Sequence, residues 1–177
     1  MKNPYLVVID VQEKLFPVMR DREDLLSNLE ILIQGFKLFG LPIILTEQAP
    51  DKLGPTIEPI RSLLEDVQPI TKTSFSCAAD PAFMACSSAF GGSDGVVLAG
   101  IETHVCVNQT VHDLLAEGYC PHLLRDAITS RFSPEDATGW EKMIGSGAVP
   151  TCTEAVLFEW LRDSQAAEFK AIHALVV

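Results

Sequence analysis

The chain has 177 residues, 47% hydrophobic and 21% charged, with a formal net charge of −11. That composition describes a single globular domain over 1–177, long enough to bury about 70% of its unfolded surface. The negative charge argues against nucleic acid and anionic membrane surfaces as partners, no run approaches the roughly 18 apolar residues of a membrane span, and a small-molecule substrate stays open.

Tyr5-Leu-Val-Val-Ile9 is a continuous apolar run rich in β-branched residues, as expected of a central parallel strand covered on both faces. It ends at Asp10. A carboxylate at a buried strand tip either caps the next segment or is put to chemical use, because leaving it unpaired is costly. Leu25, Leu26, Leu29, Leu32, Ile33, Phe36 and Phe39 recur at helical spacing and predict an amphipathic helix over 23–39. Gly40 stops it and Pro42 lies just beyond. Pro42–Thr46 reads as the second strand, 47–55 as a loop, and Thr56 as the cap of a helix carrying Ile57, Ile60, Leu63 and Leu64. Gln68–Lys72 is a short third strand. Lys72, at its end, reads either as a solvated lysine or as a site cation. Pro81 opens a helix that runs through Phe83, Met84 and Phe90 to Gly91-Gly92.

Asp94-Gly-Val-Val-Leu-Ala99 is the fourth strand, opened by a turn pair. The helix after it carries Val107, Val111, Leu114 and Leu115 and ends at Gly118. Cys106 falls in or beside the first turn of that helix, where free N–H groups favour thiolate over thiol. It reads either as the small buried residue most free cysteines are, or as a nucleophile. Tyr119–Leu124 is the fifth strand, with Pro121 at its start or at a bulge. Arg125–Arg131 is its polar exit. Ser133-Pro-Glu-Asp136 is a helix start with Ser133 as cap, and that helix continues through Trp140, Met143 and Ile144. Ala148–Cys152 is the sixth strand. A helix from Thr153 and a last one over 165–175 complete the chain. Strands alternating with helices predict an α/β fold, a Rossmann-like parallel sheet with helices on both faces in three αβα layers.

Asp10, Lys72 and Cys106 all fall at the carboxyl ends of predicted strands. In a doubly wound sheet those ends form one rim, with a crevice where the winding reverses. A base type, a cation and a nucleophile type can therefore converge there. The cysteines, at 77, 86, 106, 120 and 152, are odd in number and form no CxxC pair. The apolar start is too short for a signal h-region, so reduced thiols and a cytoplasmic location are expected. His104 and Cys106 flank a turn without a second ligand cluster, so His104 reads as structural or pocket-lining rather than as a metal ligand. Gly145-Ser-Gly147 follows a helix rather than a strand and is no dinucleotide fingerprint.

Four segments carry a family resemblance: Val8-Ile-Asp-Val-Gln12, Thr71-Lys-Thr-Ser-Phe-Ser76, Gly100-Ile-Glu-Thr-His-Val-Cys-Val-Asn108 and Asp126-Ala-Ile-Thr-Ser-Arg131. In order and spacing they resemble the isochorismatase-like cysteine hydrolases, and most closely the short single-domain members. The resemblance covers essentially the whole chain. It implies a six-stranded sheet in the order 3-2-1-4-5-6 and an Asp10, Lys72, Cys106 triad. It also implies a cis peptide between Ile101 and Glu102, an oxyanion hole from the Glu102 and Cys106 backbone N–H groups, and a homo-oligomer. The implied reaction is hydrolysis of a small amide or related C–N bond through a thioester. Gln12, Phe16, Gln48, Phe75, Ile101, Glu102 and Phe132 are candidates to line the substrate. No cofactor is expected. Family members that hydrolyse nicotinamide carry an Asp-x-His metal motif after the second strand; Thr46-Glu-Gln-Ala-Pro-Asp51 has no histidine, so no catalytic metal is expected and nicotinamide is disfavoured. Members that cleave isochorismate do not use the cysteine, so Cys106 argues against that reaction. The alternative is a non-catalytic ligand-binding or scaffold protein that keeps the pocket.

Overall fold

β1 (Tyr5–Ile9) presents buried apolar side chains at every position, so both of its faces need cover. In the computed structural model, which describes residues 4–90 and 95–177, it lies at the centre of the sheet. The expected Gly91-Gly92 turn and the Asp94 opening of the fourth strand lie outside the described residues. β1 pairs in parallel with β2 (Ile43–Gln48) on one side and β4 (Val96–Ile101) on the other. β3 (Ile70–Lys72) lies beyond β2; β5 (Pro121–Thr129) and β6 (Val149–Thr151) lie beyond β4. The order is β3-β2-β1-β4-β5-β6, as the resemblance implies.

Side-chain alternation divides the core in two. Leu6 and Val8, with Val97 and Ala99, pack under α1 (Arg22–Leu38), α7 (Thr153–Leu161) and α8 (Phe169–Val176). Tyr5, Val7 and Ile9, with Val96 and Leu98, pack under α4 (Pro81–Ala89), α5 (Asn108–Ala116) and α6 (Ser133–Gly145). Winding runs outward from β1 to β3, then crosses back to β4. The winding reverses between β1 and β4, the point at whose carboxyl ends sheets of this kind form their ligand crevice.

Several local expectations are corrected. β2 runs on to Gln48, so Glu47 and Gln48 are buried sheet residues rather than loop. Thr56 caps no helix: its N–H and Oγ1 both donate to Glu47 Oε1, each at 2.7 Å, and α2 (Pro50–Leu53) and α3 (Glu58–Leu63) flank it. Ser133 makes no capping bond; it is already the first residue of α6, and Phe132 holds the cap position. The last helix begins at Phe169, not 165.

The largest departure is β5, which extends through the segment read as a polar exit. Its register against β4 jumps from Leu98↔Leu123 to Gly100↔Ile128. The extra residues form a bulge that turns Arg125 and Asp126 out of the ladder. Asp126 then accepts from Thr153 N–H and Oγ1 at 3.0 Å, fixing the start of α7. Asn28 of α1 donates to the Asp126 carbonyl at 2.9 Å.

Burial of Tyr5 carries a pH consequence. Its ring is wholly inaccessible and its hydroxyl pairs with that of Ser87. Burial pushes the phenol from 10.0 up to about 12. Burial likewise lifts the Cys77 thiol from 9.0 to about 11. Both groups are acids whose folded value lies above the unfolded one. The stability they contribute is complete below the unfolded values and disappears as pH climbs through the folded ones. For Tyr5 alone that is about 3 kcal/mol. Urea unfolding between pH 9 and 12 is expected to show this steep loss, with Tyr5→Phe flattening the part above pH 10; an unchanged slope in that variant would remove Tyr5 from the account.

Candidate active site

Asp10 follows β1 directly in a left-handed conformation, φ 53°. Its Oδ1 accepts from Thr46 Oγ1 on β2 at 2.8 Å. Its Oδ2 accepts from Lys72 Nζ at 2.7 Å. Lys72 starts two strands away, on β3. Adjacent strands are about 4.8 Å apart, so only a long side chain can cross β2 and reach β1. On the way it donates to Gln48 Oε1 at 3.0 Å and to the carbonyls of Ser74 and Phe75 at 3.2 and 3.1 Å. Neither member of the Asp10–Lys72 pair has side-chain exposure.

Cys106 enters from the other side of the crevice. It lies in a π-helical turn, Thr103–Val107, wedged between β4 and α5. Its thiol faces the Asp10–Lys72 pair closely enough for both charges to act on it. Burial first, and the Asp10 charge next, push the thiol well above the ordinary cysteine range despite the pull of Lys72. This corrects the expectation of a thiolate favoured by the helix terminus: the regular turn of α5 begins only at Asn108, and desolvation outweighs the dipole. Burial alone would pull the Lys72 ammonium down. The anionic groups facing it, Cys77 and Cys106 when ionised and Asp10, outweigh that and hold it above the usual lysine value.

The arrangement therefore rests as thiol, carboxylate and ammonium. Moving the thiol proton to Asp10 changes no net charge, and Lys72 faces one anion before and after.

The turn that carries Cys106 is clamped on several sides. The peptide between Ile101 and Glu102 is cis. Glu102 accepts from Arg131 N–H and Nε at 3.1 and 3.0 Å. Thr103 Oγ1 donates to Asp136 on α6 at 2.5 Å, and Asp136 also accepts from Arg125 at 3.0 Å. His104 Nδ1 lies 3.0 Å from Ser130 Oγ, which gives His104 a structural tie. Gly139 on α6 leaves no space for a side chain, since a Cβ there would sit 2.8 Å from His104 Cα.

The candidate lining residues divide. Phe75 and Phe132 are exposed, at 52% and 57%. The Phe75 carbonyl holds Lys72, and Phe132 follows the residue that binds Glu102, so both stand at the rim by chain connection. Gln12 and Ile101 are corrected: both are wholly buried. The Gln12 amide donates to the Gln48 and Gly54 carbonyls and accepts from Gln48 N–H, so it ties β1 to β2 instead of facing a ligand. Ile101 packs in the core beneath α1, and Phe16 packs against that same core. Gln48 works as a partner of Lys72. Thr46, Asp136 and Arg131 were missed as supports; each is an ordinary polar residue whose role depends on a neighbour distant in the chain. Among the described residues no group of three or more His, Cys, Asp or Glu is placed to hold a metal. No helix among them is long and apolar enough to cross a membrane.

Comparison with known proteins identifies the family and the fold. The isochorismatase domain model matches residues 4–155. "Isochorismatase domain-containing protein 2" of Danio rerio is 34% identical over 175 residues, covering 99% of this chain and 87% of the relative. A solved structure described as MAR1 ribonuclease from Caenorhabditis elegans superposes with a TM-score of 0.92 at 31% identity, covering 98% of this chain and 89% of that one. YcaC of Escherichia coli, described as an octameric hydrolase of unknown specificity, shares the fold with a TM-score of 0.90 at 24% identity, over 98% of this chain and 88% of that one. By sequence, strand order and the family model together, the chain belongs to the isochorismatase domain family, a family of hydrolases.

Proposed function

We propose that the protein is a cysteine hydrolase of a small carboxamide or related C–N bond, with Asp10, Lys72 and Cys106 as its catalytic residues. The observation that carries the reading is the wholly buried Asp10–Lys72 pair beside the Cys106 thiol. A buried ion pair is not needed to hold a sheet edge together, and hydrophobic residues there are often as stable.

In the first half-reaction Asp10 takes the thiol proton as Cys106 Sγ forms a bond to the carbonyl carbon. The carbonyl π pair moves to oxygen. Backbone N–H groups of Glu102 and Cys106 receive that oxyanion, the kind of contact worth about 3 kcal/mol per donor. The C–N bond then breaks, Asp10 returns the proton to nitrogen, and ammonia or an amine leaves a thioester. In the second, Asp10 takes a proton from water as hydroxide adds to the thioester carbon; the C–S bond then breaks, the acid leaves, and Asp10 returns the proton to Cys106 Sγ. Lys72 stays protonated throughout and stabilises whichever partner carries the charge. No metal or cofactor enters, and self-association, common in the family, belongs to the same reading.

A screen of small amides with ammonia detection tests it. Wild-type protein is expected to turn over at least one, and Cys106→Ser to lose at least about 1,000-fold in kcat. Undiminished turnover in Cys106→Ser would overturn the reading. A non-catalytic member that keeps the pocket predicts no turnover by either protein. The C. elegans relative's description as a ribonuclease suggests RNA as a second substrate class, but a chain of net charge −11 is poorly suited to a polyanion. Cleavage of RNA by the wild type, lost in Cys106→Ser, would favour it.

A further inference from the structure

Glu102 opens the turn that carries Cys106, and its side chain is only 8% exposed. Keeping a carboxylate charged there is unfavourable unless its contacts return something. The chemistry proposed above uses the Glu102 backbone and leaves its carboxylate without a task.

That carboxylate is held by one residue in two ways. Oε2 accepts from the Arg131 backbone N–H at 3.1 Å and from Arg131 Nε at 3.0 Å. Main chain and side chain converge on the same oxygen, which fixes direction as well as distance. The Glu102 carbonyl is fixed too, accepting from Val105 and Val107 N–H at 3.1 and 3.2 Å. Ser130, the preceding residue, holds His104 of the same turn. The two residues that follow β5 therefore hold the turn at Glu102 and at His104.

We propose that Arg131 is a positioning residue: by gripping the Glu102 carboxylate it aims the Glu102 backbone N–H at the substrate carbonyl oxygen that gains charge when Cys106 attacks. This rests on the hydrolase reading of the site. The other role open to Arg131 is direct recognition of a substrate anion by its half-exposed guanidinium. A guanidinium already neutralised by Glu102 is poorly suited to that.

Two reagents separate these roles without knowledge of the natural substrate. With acrylamide, Asp10 takes the thiol proton as Cys106 Sγ bonds to the terminal alkene carbon, and the π electron pair moves to the carboxamide oxygen. That oxyanion collapses as the α-carbon takes a proton from Asp10. With methyl methanethiosulfonate, the sulfur displaces methanesulfinate, and no carbonyl oxygen gains charge. Rates at Cys106 are read by mass spectrometry on the full chain. Arg131→Met is expected to slow acrylamide addition about 10-fold or more, since loss of a whole oxyanion donor costs about 100- to 1,000-fold. The thiosulfonate rate should stay within about twofold. Equal slowing of both reagents would mean that Arg131 only holds the fold, and overturns the proposal. An unchanged acrylamide rate overturns it as well, because acrylamide is uncharged and an anion-reading arginine would leave it untouched. If Arg131→Met does not fold, Arg131→Lys carries the same comparison, since lysine cannot reproduce the Nε approach. Failure of the underlying reading looks different. Wild-type Cys106 would then show the same ratio of the two rates as the partly exposed Cys152, with no carbonyl preference for Arg131 to support.

Discussion

Replacing Lys72 with Met is expected to lower stability by about 3 to 5 kcal/mol and to abolish turnover, two effects that a second substitution can separate. The ammonium lies at the centre of four contacts, Asp10 Oδ2, Gln48 Oε1 and the carbonyls of Ser74 and Phe75. Methionine fills much of its volume but donates nothing. Asp10 would lose its ammonium partner at full burial, and three further acceptors would lose theirs. Adding Asp10→Asn removes the stranded charge. The double variant should therefore be more stable than Lys72→Met alone while remaining inactive. Urea unfolding of the four proteins in a double-mutant cycle measures the coupling. A Lys72→Met protein that unfolds at the wild-type denaturant concentration would show that the pair holds nothing. The cycle also bears on function: a pair that contributes little when both members are replaced, yet is indispensable to turnover, is kept for chemistry rather than for folding.

The parts of the fold legible in the sequence are those set by local pattern. The apolar run of β1, the spacing of α1 and its Gly40–Pro42 stop are one-dimensional signals, and the structure has β1 at 5–9 and α1 at 22–38. The strand order was implied by the resemblance rather than by periodicity. What escaped was set by partners far away in the chain. Arg125 and Asp126 look like a strand exit because they are charged. They belong to β5 because Asn28, Asp136 and Thr153 receive them at a bulge. Thr56 has the composition of a cap, but Glu47 takes both of its donors. At the site, Asp10, Lys72 and Cys106 were visible as three strand ends on one rim. The state of the thiol was not, since helix position argued for a thiolate and only burial, absent from a one-dimensional pattern, reverses the sign. Gln12 looked like a ligand contact for the same reason: a polar residue next to a catalytic candidate shows its chemistry but not its partners.

The substitution expected to do most damage for the fewest added atoms is Gly100→Ala. Gly100 stands opposite Ile9 in the β1–β4 ladder and has φ +123°, a conformation that side chains rarely adopt. A Cβ built there would lie 2.7 Å from Ile9 N and 2.9 Å from the Ile9 carbonyl carbon, with the carbonyl oxygen closer still. These are backbone atoms of a central strand and have no rotamer through which to escape. The strands must part, or Gly100 must abandon its φ. Either movement is transmitted directly, because Ile9 precedes Asp10 and Gly100 precedes the Ile101–Glu102 peptide. One methyl group therefore pushes apart the two walls of the crevice. A loss of about 3 kcal/mol or more is expected, within the range for strain combined with overpacking. Gly118→Ala is the matched control: φ is again positive, at +80°, but nothing lies within 4 Å of its Cβ. Its cost should be only the conformational part, about 1 kcal/mol, with activity retained. If the two alanine variants unfold at the same urea concentration, close approach of β1 and β4 is not what holds Asp10 opposite Cys106. If Gly100→Ala alone collapses, the spacing of those strands sets the width of the crevice in which the thiol meets the carboxylate.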